Sequence, residues 1–260
     1  MPHAVWSAGA EPWVLLALGA TAYVAGAVDA IVGGGGLINV PVLLLFGMPV
    51  STALGTNKLA GIAGTATATA TFAAARAIRW PIVFTGAAAA FVGALFGAHT
   101  VLQIDPALLR VIVSVLLLLV AGIVAFRPQL GAAAANPAHR SIWRSGAIGL
   151  ATGFYDGFFG PGAGVFMVFL FVTWLGLDFL AASGVSKATN FASNLGAIAV
   201  FALAGAIDYR AGVVMAVGAV AGSFTGSRLA IVRGAGFVRY VLLVMSWALA
   251  IRLLLQALHG

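Results

Sequence analysis

The run from 111 to 126, VIVSVLLLLVAGIVAF, is apolar on every face, and stretches of roughly 20 apolar residues recur from one end of the chain to the other. Such a segment offers water nothing to solvate. Only 7% of the residues are charged and the mean hydropathy is +1.11, whereas a soluble domain carries about a quarter charged residues. No polar block is long enough to build an aqueous domain, so the 260 residues read as one polytopic membrane unit. Lipid-facing β-strands alternate apolar and polar residues in short segments; this run does not, and the spans are therefore predicted to be helices.

Cysteine is absent, which excludes a disulfide framework and a thiolate metal site. A net charge of +7 on a soluble protein would point to nucleic acid. Here the arginines fall between apolar runs, where the positive-inside rule puts them, so they report orientation and no nucleic acid is expected. The N-terminal apolar run lacks the basic region of a signal peptide and has a counterpart inside the chain, so it is expected to be retained structure.

That counterpart belongs to a larger pattern. Residues 26 to 36, GAVDAIVGGGG, are echoed by residues 153 to 164, GFYDGFFGPGAG, which sets Asp29 opposite Asp156 and Gly33 opposite Gly160. After a two-residue slip, Leu54-Gly55-Thr56-Asn57-Lys58 aligns with Ser183-Gly184-Val185-Ser186-Lys187, and the register then holds through Gly93 with Gly222 and Gly97 with Gly226. Lys58 and Lys187 are the only lysines, and they occupy equivalent places. The chain therefore reads as two related halves, repeat one over 12–127 and repeat two over 143–256, joined by a polar linker at 128–142.

Each half holds five apolar segments: 12–32, 37–48, 54–77, 80–101 and 107–126, then 143–160, 164–177, 185–206, 210–231 and 236–256. The second segment of each half is shorter than the ~20 residues a helical span needs and follows a glycine cluster. It is predicted to be a half-membrane or re-entrant helix. Five crossings per half make the repeats inverted and gather most arginines on the side of the linker; four crossings make them parallel with a flatter split. The arginines favour the inverted arrangement, with both termini outside.

Inverted repeats with glycine-interrupted short segments in matching positions point to a secondary transporter whose site lies near the midplane between the repeats. A helix that stops inside the membrane exposes unpaired amide N–H groups and partial positive charge, which attract an anion. Gly34, Gly35 and Gly162 would let backbone approach such a ligand, while scattered glycines such as Gly93 and Gly97 are read as helix-packing residues. Lys58 and Lys187 are expected in the first turn of their helices, each after polar neighbours: Thr56 and Asn57 for the first, Ser186 for the second. A lysine there either snorkels to the interface or supplies counter-charge to a bound anion. Asn190 and Asn194 share the helical face of Lys187 and serve either as ligand donors or as glue between helices. Asp29 and Asp156 either carry protons, pair with a lysine of the other half, or cap glycine-loop amides. His99, Trp80 and Trp174 fall near span ends, where interface anchoring accounts for them. No phosphate loop, nucleophile elbow or metal cluster is found, so neither an enzyme nor a cofactor is expected.

The doubled motif, Asp29 with Gly33–Gly36 and Ala53–Lys58, then Asp156 with Gly160-Pro161-Gly162 and Ala182–Lys187, resembles the sulfite exporter TauE/SafE family over about residues 12 to 256. The second glycine run departs from the first, since Pro161 and Ala163 interrupt it. The resemblance implies a multi-pass permease of the bacterial inner membrane that exports sulfite, an organosulfonate or a related small anion, using an ion or proton gradient. Uptake of another carboxylate or oxyanion, and a non-transporting membrane assembly subunit, are the alternative readings. Oligomeric state is not legible.

Overall fold

The computed structural model describes residues 11–126 and 141–233. Among them are nine helices and no strand: α1 Pro12–Val32, α2 Gly36–Leu45, α3 Val50–Ala74, α4 Trp80–Leu102, α5 Pro106–Phe126, α6 Ile142–Phe158, α7 Ala163–Thr173, α8 Phe179–Leu203 and α9 Tyr209–Arg233. The predicted segment 236–256 and nearly all of the 128–142 linker lie outside the described residues.

Local chemistry sets these boundaries. Prolines open α1, α4 and α5, where the missing N–H costs nothing, and Pro49 precedes α3. Aspartates cap α8 and α9: Asp178 accepts from the Ala181 amide at the start of α8, and Asp208 from the Ala211 amide at the start of α9. α1, α4 and α9 are long and apolar enough to cross a bilayer. α3 and α8 have 25 residues each, about 37 Å of helix, but carry the lysines and asparagines in their interiors. α2 and α7, with 10 and 11 residues, reach only about half of the ~30 Å hydrocarbon thickness.

One expectation is overturned. Neither lysine lies in a first turn: Lys58 is well inside α3, which begins at Val50, and Lys187 is well inside α8, which begins at Phe179. Nor is the stretch before either lysine unwound. Gly55, Thr56 and Asn57 look like a helix start in sequence, but Gly55 is helical and packs there because a β-carbon would strike the Ala206 carbonyl oxygen.

Packing exchanges elements between the two ends of the chain. α4 packs extensively on α6, and α3 on α8. Gly93 and Gly97 on α4 meet the backbone of α6 at Leu150 and Phe154, while Gly222 and Gly226 on α9 meet the backbone of α1 at Tyr23 and Ala27. Buried hydroxyls tie the same pairs together, from Ser145 to the Ile82 carbonyl at 2.7 Å and from Ser223 to the Gly26 carbonyl at 3.2 Å. Small residues at such crossings bring helices close enough for dispersion to hold them, as membrane helices require. Leu16, Phe84, Phe96, Leu203 and Val217 are exposed and present the apolar face that lipid would cover.

Candidate functional site

Both glycine clusters converge at the centre of the molecule. Gly33 ends α1 with φ of 90° and Gly160 follows α6 with φ of 93°, a left-handed backbone that glycine adopts without a β-carbon penalty. The chain then turns into α2 and α7, whose first turns carry no side-chain cap. Gly33 and Gly164 touch backbone to backbone, leaving no room for a methyl on either.

A cavity of about 40 Å³ lies beside this contact. At roughly 10–15 Å³ per water-sized probe, that space suits a compact ligand of a few heavy atoms. Its polar wall comprises Asp29, Asn39, Asn57, Lys58, Asp156 and Asn190, with Asn194, Thr65 and Ser223 completing it. Gly33, Gly35, Gly36, Gly160 and Gly164 contribute backbone.

Two ion pairs cross the middle of the chain. Lys58 Nζ donates to Asp156 Oδ1 at 2.7 Å, with both side chains almost wholly buried, at 2% and 4% exposure. Lys187 Nζ donates to Asp29 Oδ2 at 3.0 Å; that lysine is fully buried and its aspartate is 22% exposed. Each lysine thus holds the aspartate of the other half. A buried charge left single costs several kcal/mol, on the order of 3–5, so the pairing explains how these helices tolerate lysine in their interiors.

The remaining contacts of the carboxylates differ. Asp29 Oδ1 accepts from the Gly35 amide at 3.2 Å, capping the turn into α2. Asp156 Oδ2 accepts from the Ser193 hydroxyl at 2.6 Å, and that hydroxyl also lies 2.9 Å from the Asn190 carbonyl oxygen. Asn194 Nδ2 donates to Asn190 Oδ1 at 2.7 Å.

Of the residues singled out in sequence, the structure brings Lys58, Asn57, Asn190, Asn194, Asp29, Asp156 and Gly35 to the cavity. Lys187 is one layer behind it, engaged by Asp29. Thr56 and Ser186 also have other occupations: Thr56 Oγ1 accepts from the Asp208 amide at 2.9 Å, and Ser186 donates to the Gly164 carbonyl at 3.3 Å. Gly34 and Gly162 are in the turns without lining the cavity.

Asn39 and Ser193 escaped the sequence reading. Asn39 is the only polar side chain of α2; it is buried against the cavity, and its Oδ1 has no hydrogen-bond partner among the described residues. A buried orphan acceptor costs about 1–3 kcal/mol. A polar residue inside an otherwise apolar short helix was the available signal.

Comparison with known proteins follows the same lines. The family model described as Sulfite exporter TauE/SafE matches residues 18–253. The chain is 37% identical over 242 residues to a probable membrane transporter protein, ORF9, of a Sinorhizobium species, covering 92% of this chain and 91% of that one. It is 34% identical over 231 residues to a probable membrane transporter protein of Haemophilus influenzae, covering 89% and 91%, and 34% identical over 250 residues to the probable membrane transporter protein YfcA of Escherichia coli K12, covering 96% and 93%. No solved structure matches the chain.

Proposed function

This chain belongs to the sulfite exporter TauE/SafE family of membrane transporters, and from that membership we propose that it is a secondary carrier exporting sulfite, an organosulfonate or a related small anion from the bacterial cell. The observation that carries the reading is the buried cavity walled by Lys58, Asn39 and Asn57. Lys58 supplies positive charge, the asparagines supply amide groups, and the N-terminal ends of α2 and α7, whose N-cap glycines offer no side chain, add main-chain N–H groups and dipole. A subunit that served only to fill space would close this volume with apolar side chains and would not leave the Asn39 amide orphaned.

Lys187, Thr56, Ser186 and Gly162 act in this reading as support: they hold Asp29, the start of α9 and the turn into α7 in place around the ligand. We further propose that the halves are inverted repeats which rock about the cavity to give alternating access. The swapped ion pairs, the swapped helix contacts and the two half-length helices support that arrangement.

Purified protein in proteoliposomes, offered labelled sulfite, sulfate, thiosulfate or methanesulfonate, tests the proposal. Saturable flux of a sulfur anion that falls at least tenfold in Lys58→Gln is expected. Flux of a carboxylate with none of the sulfur anions would replace the substrate class, and no flux or binding of any anion would end the carrier reading.

A further inference from the structure

The cavity is electrically balanced before any ligand arrives. Lys58 faces Asp156, and Asp29 is matched by Lys187. An entering anion adds one uncompensated negative charge to a buried site. Charged groups at the bilayer centre cost about 2.5–3.5 kcal/mol on insertion scales and more in other estimates. Some group has to give up a negative charge or gain a positive one, and the hydrogen-bond pattern identifies which.

A protonated carboxyl needs an acceptor for its new O–H. The side-chain and backbone partners of Asp29 are the Lys187 ammonium and the Gly35 amide, both donors only. Asp156 differs, because its Oδ2 meets a hydroxyl, which can donate or accept. With Asp156 ionised, Ser193 donates to it. With Asp156 protonated, the carboxyl donates to Ser193 Oγ, and the serine proton turns to the Asn190 carbonyl already 2.9 Å away. No heavy atom need move. Meanwhile Asp156 Oδ1 still accepts from Lys58, whose positive charge now answers the anion.

We infer that Asp156 is the proton-carrying carboxylate of the central cavity, with Ser193 as its reversible partner, so that one proton from water and one monovalent anion occupy the site together as a neutral pair. The charged and titratable groups around Asp156 are Lys58 from α3, Asp29 from α1, Lys187 from α8 and, on its own helix, Tyr155, whose hydroxyl donates to the Pro161 carbonyl at 2.7 Å. α7 has no titratable side chain, and α4 has only His99, which is exposed. Lys187 does not wall the cavity, so an anion there cannot take the place of Asp29. The inference rests on the anion reading above and adds the proton and the residue that carries it; proton and anion then move in the same direction, so export on these terms runs down the substrate's own gradient.

Calorimetric titration of the purified protein with thiosulfate, sulfate or methanesulfonate, repeated in buffers of different ionisation enthalpy, counts protons taken up per anion bound. These anions do not titrate near neutral pH, so the protons are taken up by the protein; sulfite is run with its own protonation subtracted. About one proton per methanesulfonate is expected, with its affinity falling about tenfold per pH unit where Asp156 starts ionised; sulfate and thiosulfate, as dianions, leave one charge unbalanced and are expected to bind more weakly. Asp156→Asn presents an amide N–H to Ser193 and an oxygen to Lys58, mimicking the protonated acid. It is expected to bind the anion without proton uptake and with a flat pH profile, and to gain more thermal stability from the anion than the parent does. Ser193→Ala is expected to lower both proton uptake and affinity. Binding with no proton uptake by the parent protein overturns the inference and leaves the carrier reading intact. Loss of proton uptake in Asp29→Asn with retention in Asp156→Asn overturns it as well, and absence of binding by all four anions overturns both readings. Should Asp156→Asn fail to fold, the proton count of the parent protein decides.

Discussion

Asn39 sets stability against binding at a single position. Its Oδ1 is buried without a partner, so Asn39→Leu, close in volume, should raise thermal stability by about 1–3 kcal/mol while weakening anion binding about tenfold; a melting curve and a binding isotherm on the same preparation check both. Lys58 is the opposite case. Lys58→Met strands the Asp156 carboxylate and should cost about 3–5 kcal/mol, whereas the double change Lys58→Met with Asp156→Leu should recover most of the stability and none of the binding. Recovery of neither would mean that packing of the lysine stem, rather than its charge, holds α3 to α6. Lys58 and Asp156 stood out in sequence because charge is so rare in this chain. Ser193 did not, since a serine in a membrane helix has too many uses, and only its position between the Asp156 carboxylate and the Asn190 carbonyl gives it the proposed role.

At the scale of elements, the helix starts near Pro12, Pro81 and Pro106 were readable because proline punctuates locally. The starts of α3 and α8 were not. Gly55 and Gly184 sit inside long helices as contact points for the Ala206 and Ala77 carbonyls, a tertiary reason that a single segment cannot reveal. The same contacts make a contrast that can be measured. Gly97→Ala places a methyl against the Phe154 carbonyl at the α4–α6 crossing and should destabilise by about 1–3 kcal/mol. Gly146→Ala meets only the end of the Thr85 side chain at 3.3 Å and should stay within about 0.5 kcal/mol. Equal effects on the melting temperature would show that the crossing yields easily.

For the whole molecule, the inverted arrangement predicts that a single cysteine introduced near Ala134, in the linker, resists an impermeant thiol reagent in intact cells and reacts after permeabilisation. Labelling from outside would require parallel halves. The sequence offered pairing of each aspartate with a lysine of the other half as one of three options, and the structure takes it up; spacing alone did not choose among them, because packing selects the partner. That crossing bears on how the chain is made. Asp29 leaves the ribosome 158 residues before Lys187, so at ~5–20 residues per second it waits roughly 8 to 30 s for its cation. Lys58 likewise precedes Asp156. Until α6 and α8 arrive, the aspartate of α1 and the lysine of α3 lack the partners they hold in the finished fold.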